Sequence, residues 1–161
     1  MPKLKIKFLI IFLFFVFITS YELRVTSYEL FAQDAKEEEA LFVAKKAFED
    51  GFYEVSLGLL ERFLKNYPAS KKEAEVNLLI GQCYIHQNRF LDALTKFEGL
   101  LSSPGALDIK DAVLYWIGEV HFRGNNFDKA MSYYKMIVDE FPASSYSVHA
   151  YYSLAWCLFQ E

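Results

Sequence analysis

Four small residues recur at one interval, and that interval restricts what the chain can fold into more than any other feature. Ala44, Gly81, Gly118 and Ala155 lie 37 positions apart. Gly51, Asn88 and Asn125 keep the same spacing, and an aromatic follows each two positions later: Tyr53, Phe90 and Phe127. Pro68, Pro104 and Pro142 close three successive units. Fixed self-similarity of this kind marks a helical repeat array. A helix pair of this size cannot bury its own apolar face, so neighbouring pairs must stack.

Asp111 to Pro142 displays the unit most fully. Val113, Leu114, Ile117, Val120 and Phe122 give one broad apolar face at helical spacing. Gly118 interrupts that helix, and a mid-helix glycine costs up to about 1 kcal/mol against alanine. The spacing therefore predicts close approach of the paired helix at Gly118. The first helix is expected to start with Asp34 as N-cap, carry Glu37 to Glu39 in its first turn, and end near Glu49 before an Asp50-Gly51 turn. Further helices are expected over Tyr53 to Asn66, Lys71 to Gln87 (capped by Ser70) and Phe90 to Ser102. Ser103-Pro104-Gly105 reads as a loose linker, and Ser144 or Ser145 opens a final helix. The units fall near 37–70, 74–107 and 111–144, with a partial unit at 148–161. The last helix offers few polar residues, where a terminal repeat helix calls for a polar outer face. The expectation is that chain continues past Glu161 in the intact protein or that a partner covers this end.

Numbered from Asp111, the unit has a small residue eighth (Gly118), an aromatic seventeenth (Phe127), Ala twentieth (Ala130), an aromatic twenty-fourth (Tyr134) and Pro thirty-second (Pro142). The second unit supplies Gly81, Tyr84, Phe90, Ala93 and Phe97. The first departs, with Ser56 and Leu60 in place of Ala and an aromatic. These residues resemble the tetratricopeptide repeat, at a period somewhat longer than its usual length of roughly 34. The string YWIGEVHFRGNNFDKAMSYYKMIVDEFPASS is more specifically similar to repeats of bacterial envelope proteins of the Tol–Pal coordinator and BamD types. The resemblance covers roughly Glu37 to Glu161. It implies an all-α, right-handed superhelical solenoid of three helix pairs plus one terminal helix.

The resemblance also implies a partner-binding groove, lined by places two, five, nine, twelve and thirteen of each unit. Steps of three and four keep such places on one helical stripe. On this chain they are Glu38, Leu41, Lys45, Phe48 and Glu49; Glu75, Leu78, Gln82, Ile85 and His86; Ala112, Tyr115, Glu119, Phe122 and Arg123; and His149, Tyr152, Trp156, Phe159 and Gln160. The expected binding set is Lys45, Phe48, Gln82, Ile85, His86, Tyr115, Glu119, Phe122, Arg123, Tyr152, Trp156 and Phe159. Tyr115, Phe122, Tyr152 and Trp156 are the expected anchors, and Glu119 is placed to pair with Arg123 one turn on. His121 is expected on the inner face as a structural histidine. The Lys and Asn set that clamps a terminal carboxylate in chaperone-binding relatives is absent.

Ahead of the repeats, Lys3, Lys5 and Lys7 precede an apolar run from Phe8 to Ile18. That run is too short to span a membrane, which needs about 20 residues. A basic start and a short apolar stretch describe a secretory signal peptide over residues 1–32; an uncleaved inner-membrane anchor is the alternative. Thr19-Ser20-Tyr21-Glu22-Leu23 is copied at Thr26-Ser27-Tyr28-Glu29-Leu30, so cleavage is expected after Ala32 or after Ser20. No cysteine stands near either point, so the lipid attachment of BamD-type lipoproteins is not available here. The expected location is the periplasm or outside the cell.

Removing residues 1–32 takes away Lys3, Lys5, Lys7 and Arg24 against Glu22 and Glu29, and the net charge moves from −4 to −6. No basic stripe for nucleic acid is evident. Cys83 and Cys157 fall at the same place in alternate units. Stacked helices put such places on the order of 20 Å apart, beyond the roughly 7 Å reach of a disulfide. Both read as buried side chains. His86, His121 and His149 lack metal-ligand spacing, and no nucleophile set or phosphate-binding loop stands out. No cofactor, metal or enzymatic activity is expected. The sequence reads as a scaffold of the bacterial envelope that binds a peptide or helix of a protein partner. A structural spacer, forming the N-terminal arm of a longer envelope or secretion protein, is the alternative.

Overall fold

A computed structural model describes residues 32–160. The chain divides into two compact units, Met1–Glu39 and Ala40–Glu161. The expected signal segment lies outside the described residues except for Ala32. Among the described residues there are seven α-helices and no strand. They are α1 (residues 32–49), α2 (Tyr53–Asn66), α3 (Glu73–His86), α4 (Phe90–Leu101), α5 (Lys110–Arg123), α6 (Phe127–Glu140) and α7 (Ser145–Gln160).

The repeated turn residues work alike. Gly51, Asn88 and Asn125 have φ of 82°, 60° and 58°. This left-handed conformation is open to glycine and tolerated by asparagine. The N–H of Phe52, Arg89 and Asn126 then donates to the carbonyl of Ala47, Tyr84 and His121. Each first helix thus ends in the same double-bonded cap, which satisfies carbonyls that the helix itself cannot.

The core lies between successive pairs as well as within them. Val76 and Ile80 of α3 join Leu41 and Ala44 of α1 and Leu57, Leu60 and Phe63 of α2. Val113 and Ile117 of α5 join Ala93 and Phe97 of α4. Ala150 and Cys157 of α7 join Ala130, Tyr134 and Ile137 of α6. Each cluster borrows residues from the next pair, which is how stacking supplies the burial one pair lacks. Cys83 and Cys157 are buried in different clusters, and burial pushes the Cys83 thiol up.

Three expected details are corrected. Ser103-Pro104-Gly105 is no loose linker: Pro104–Ile109 is a 3-10 helix, and its Ala106 is buried against α4 and α5. Asp34 is no N-cap, because the helix already runs through it from residue 32. Ser70 accepts the Lys72 N–H at 3.0 Å and shapes the turn before α3, which itself begins at Glu73 without a side-chain cap. Ser144 does open α7: its hydroxyl oxygen accepts the Tyr146 N–H at 2.9 Å and bonds the Asp111 carboxylate at the start of α5.

Candidate partner-binding groove

The first helices of the first two pairs frame a hollow of about 330 Å³. Lys45, Phe48 and Glu49 enter it from α1, and Glu75, Leu78, Leu79 and Gln82 from α3. The Lys45 ammonium pairs with the Glu75 carboxylate across it. Both side chains are nearly half exposed, so the pair orients the wall more than it stabilises the fold. Phe48 forms an apolar side and packs edge-on to Tyr53 at 5.3 Å and to His86 at 5.5 Å. His86 stacks flat on Tyr53 at 4.1 Å. Burial holds its imidazole below the ordinary value, and the positive charge of Arg123 lowers it further.

The third pair carries a polar knot that sequence reasoning missed. Tyr134 of α6 is fully buried, and its hydroxyl donates to the Glu119 carboxylate of α5 at 2.8 Å. Tyr115 of α5 lies 5.9 Å from the Tyr134 ring and 5.1 Å from Tyr146 of α7. Glu119 and Ser153 both act on the ionisation of the two phenols. Burial, with the Glu119 charge next, pushes Tyr115 up to about 12 and Tyr134 higher still. The signal was present in the sequence as Tyr115, Glu119 and Tyr134, but only the fold shows that Glu119 turns to the buried phenol.

Several expected groove residues therefore have other work. Ile85 is fully buried in the second cluster and does not line the groove. Tyr115 is wedged between α6 and α7 instead of standing free as an anchor. Phe122 packs edge-on to Phe127 at 5.5 Å in the third cluster. Glu119 bonds Tyr134 in place of the expected pairing with Arg123. His121 stacks on Tyr133 of α6 at 5.6 Å, so it faces the second helix of its pair and not the inner stripe. Gln82 is buried but still lines the hollow. Arg123 is exposed at the end of α5. On α7, Tyr152, Trp156 and Phe159 are exposed, with the Trp156 and Phe159 rings stacked at 5.7 Å.

A second, more polar hollow of about 480 Å³ opens between α3 and α4, lined among others by Ser70, Asn77, Thr95 and Lys96. Lys96 donates to Asn77 there at 3.2 Å. No periodic pattern marked these residues in the sequence. Among the described residues, no group of three or more His, Cys, Asp or Glu is placed to hold a metal ion.

Two family models, each described as a tetratricopeptide repeat, match residues 44–112 and 112–144. Residues 44–144 are tetratricopeptide repeats. Among solved structures 34 chains match. A crystal structure of MamA superimposes with a TM-score of 0.60 at 17% identity, over 75% of this chain and 66% of that one. At that identity the likeness is one of fold, and this chain spans just under two thirds of the matched one. A search of curated proteins gives no match. Tetratricopeptide repeats generally mediate protein–protein interaction.

Proposed function

We propose that the repeats hold a segment of a protein partner against the first-helix stripe, as a scaffold in the bacterial cell envelope. The observation that carries the binding part is the hollow between α1 and α3. It combines an apolar side of Phe48, Leu78 and Leu79 with charged edges at Lys45, Glu49 and Glu75. Such a mixture suits a peptide with one apolar side chain pointing inward and polar groups along its flanks. The test is capture from envelope extract, followed by titration of the purified captured partner. Lys45→Glu combined with Glu49→Lys reverses two partly exposed charges at the rim. Loss of binding with an unchanged melting temperature is expected; unchanged binding places the site elsewhere.

The envelope part rests on Lys3 to Lys7 and the apolar run Phe8 to Ile18. Export followed by cleavage after Ala32 or Ser20 is the expected route. Cell fractionation with N-terminal sequencing decides it. Mature protein recovered from the cytoplasm with Met1 intact would overturn the assignment.

A further inference from the structure

Lys45, Gln82 and Glu119 hold the same place in three successive units, 37 positions apart. Two of them are tied down within the array. The Lys45 ammonium pairs with the Glu75 carboxylate, and the Glu119 carboxylate accepts from the Tyr134 hydroxyl at 2.8 Å. Gln82 differs. The residue that corresponds to Tyr134 in the second pair is Phe97, equally buried but without a hydroxyl. Gln82 is only 9% exposed and lines the hollow between α1 and α3. Among the described residues no hydrogen bond reaches its side-chain amide. A buried polar group without a partner is destabilising, so an amide at this place calls for a partner the array itself does not supply. We infer that the partner segment in the hollow is extended and not helical, and that Gln82 pairs with the main-chain N–H and C=O of one of its residues. This rests on the groove reading proposed above.

The chemistry of the amide selects the occupant. It carries a carbonyl acceptor and N–H donors side by side. One residue of an extended chain turns its own N–H and C=O to the same side, which is the complementary pair. A helix spends those groups on its internal bonds and has none to offer. Alternate side chains of an extended segment share a face, so an apolar one enters between Phe48, Leu78 and Leu79. The end of a chain fits less well. Lys45 already has Glu75, and Glu49 adds a second carboxylate to the rim, so a terminal carboxylate is repelled and the segment is internal to its protein. The hollow lies between two successive pairs. Repeats add at the ends of an array, so further ones would lengthen the stripe without filling this place.

The probes are short peptides with both ends blocked. They are selected from a random library for binding to the full chain and not to the Lys45→Glu, Glu49→Lys protein. Each is remade with one main-chain N–H at a time methylated and, separately, as a cross-linked helix. Methylation at one position should weaken binding about tenfold, and Gln82→Met by a similar factor. The two losses should not add, because they remove the same contact. Gln82→Met should melt no lower than the unsubstituted protein. Phe97→Tyr gives Gln82 the phenol that Glu119 has, and should weaken binding although Phe97 lies outside the hollow. Binding that Gln82→Met leaves unmoved, losses that add, or a preference for the cross-linked helix overturns the inference and leaves the groove reading in place. A dimer of the free chain that Gln82→Met dissolves overturns it too, and assigns the hollow to a second copy. If no blocked peptide distinguishes the full chain from the rim-reversed protein, the groove reading falls and this inference with it.

Discussion

The ring of Tyr134 lies where a side chain on Gly118 would begin, 2.6 Å from the position of its first carbon. This contact explains a glycine in the middle of α5, where helix propensity disfavours it. Gly118→Leu should therefore lower stability by about 1–3 kcal/mol or more, since the added atoms force α5 and α6 apart. Glu98→Ala on the exposed side of α4 is the control and should barely move the thermal melt. If Gly118→Leu melts with the unsubstituted protein, the packing of α5 on α6 is not as described.

The same relation joins Gly81 to Phe97, and Ala44 with Leu60 shows a second solution to it. Gly81→Ala and Phe97→Leu should each destabilise alone, the first by overpacking and the second by leaving space. Together they rebuild the first pair's arrangement in the second. The double variant should be more stable than the sum of the singles by about 0.5–3 kcal/mol. Strict additivity in denaturant titrations would refute the size matching.

Gly58 offers the contrary case. It sits inside α2, is exposed, and a Cβ there meets nothing within 4 Å. Gly58→Ala should stabilise the protein by about 0.5–1 kcal/mol through reduced freedom of the unfolded chain. A lower melting temperature would mean that something else covers this face of α2.

Glu119 is expected to matter for folding, although its place in the repeat belongs to the groove. Removing the carboxylate leaves the fully buried Tyr134 hydroxyl without its closest acceptor. Bonds to charged groups are worth about 1.5–3 kcal/mol. Glu119→Ala should cost an amount in that range, while Tyr134→Phe in the Glu119→Ala background should recover part of it. Chemical denaturation of the two variants reads this out.

Two histidines set a pH dependence. Burial is the first cause that lowers His86 and His121, followed by Arg123 for one and Lys129 for the other; Glu98 opposes weakly at His121. The folded state thus favours neutral imidazole, while the unfolded chain takes up protons near the ordinary value of 6.5. Stability should be complete above that pH and fall as pH drops through the lower folded values. His86→Phe with His121→Phe keeps both ring stacks and should flatten the melting profile between about pH 7 and about pH 5, above the range where carboxylates dominate. A profile equally steep in the double variant would move the effect to other groups.

Much of this fold was legible because its constraints are local or strictly periodic. Gly51, Asn88 and Asn125 announce turns through a backbone geometry few residues accept, and Gly118 announces a close approach. The groove was legible only in part. Membership of a helical stripe follows from spacing, but whether a side chain on it stays free depends on what the next helix brings. Tyr115 met Tyr146, Phe122 met Phe127, and Ile85 was enclosed by the second core cluster. Pro104-Gly105 read as loose because both residues break helices, yet Ala106 beside them is small enough to enter the core as a tight 3-10 turn.

That distinction decides how the groove must be tested. Tyr115→Ala would remove a ring packed on α6 and α7, so lost binding in that variant reports lost structure. Trp156 is 45% exposed and, among the described residues, its ring contact is with Phe159, which is itself exposed, so its truncation leaves the core intact. Aromatic anchors at interfaces can cost about 2 kcal/mol or more on truncation. If the partner segment runs along the first-helix stripe as far as α7, Trp156→Ala should weaken its titrated affinity by at least about tenfold, with melting unchanged. The rim-reversed Lys45→Glu, Glu49→Lys protein should lose affinity independently, because its site lies two pairs away. Additive losses would mean one extended segment touching both ends. A loss confined to the rim variant would limit the partner to the hollow between α1 and α3, and no loss in either folded variant would place the site away from the first-helix stripe.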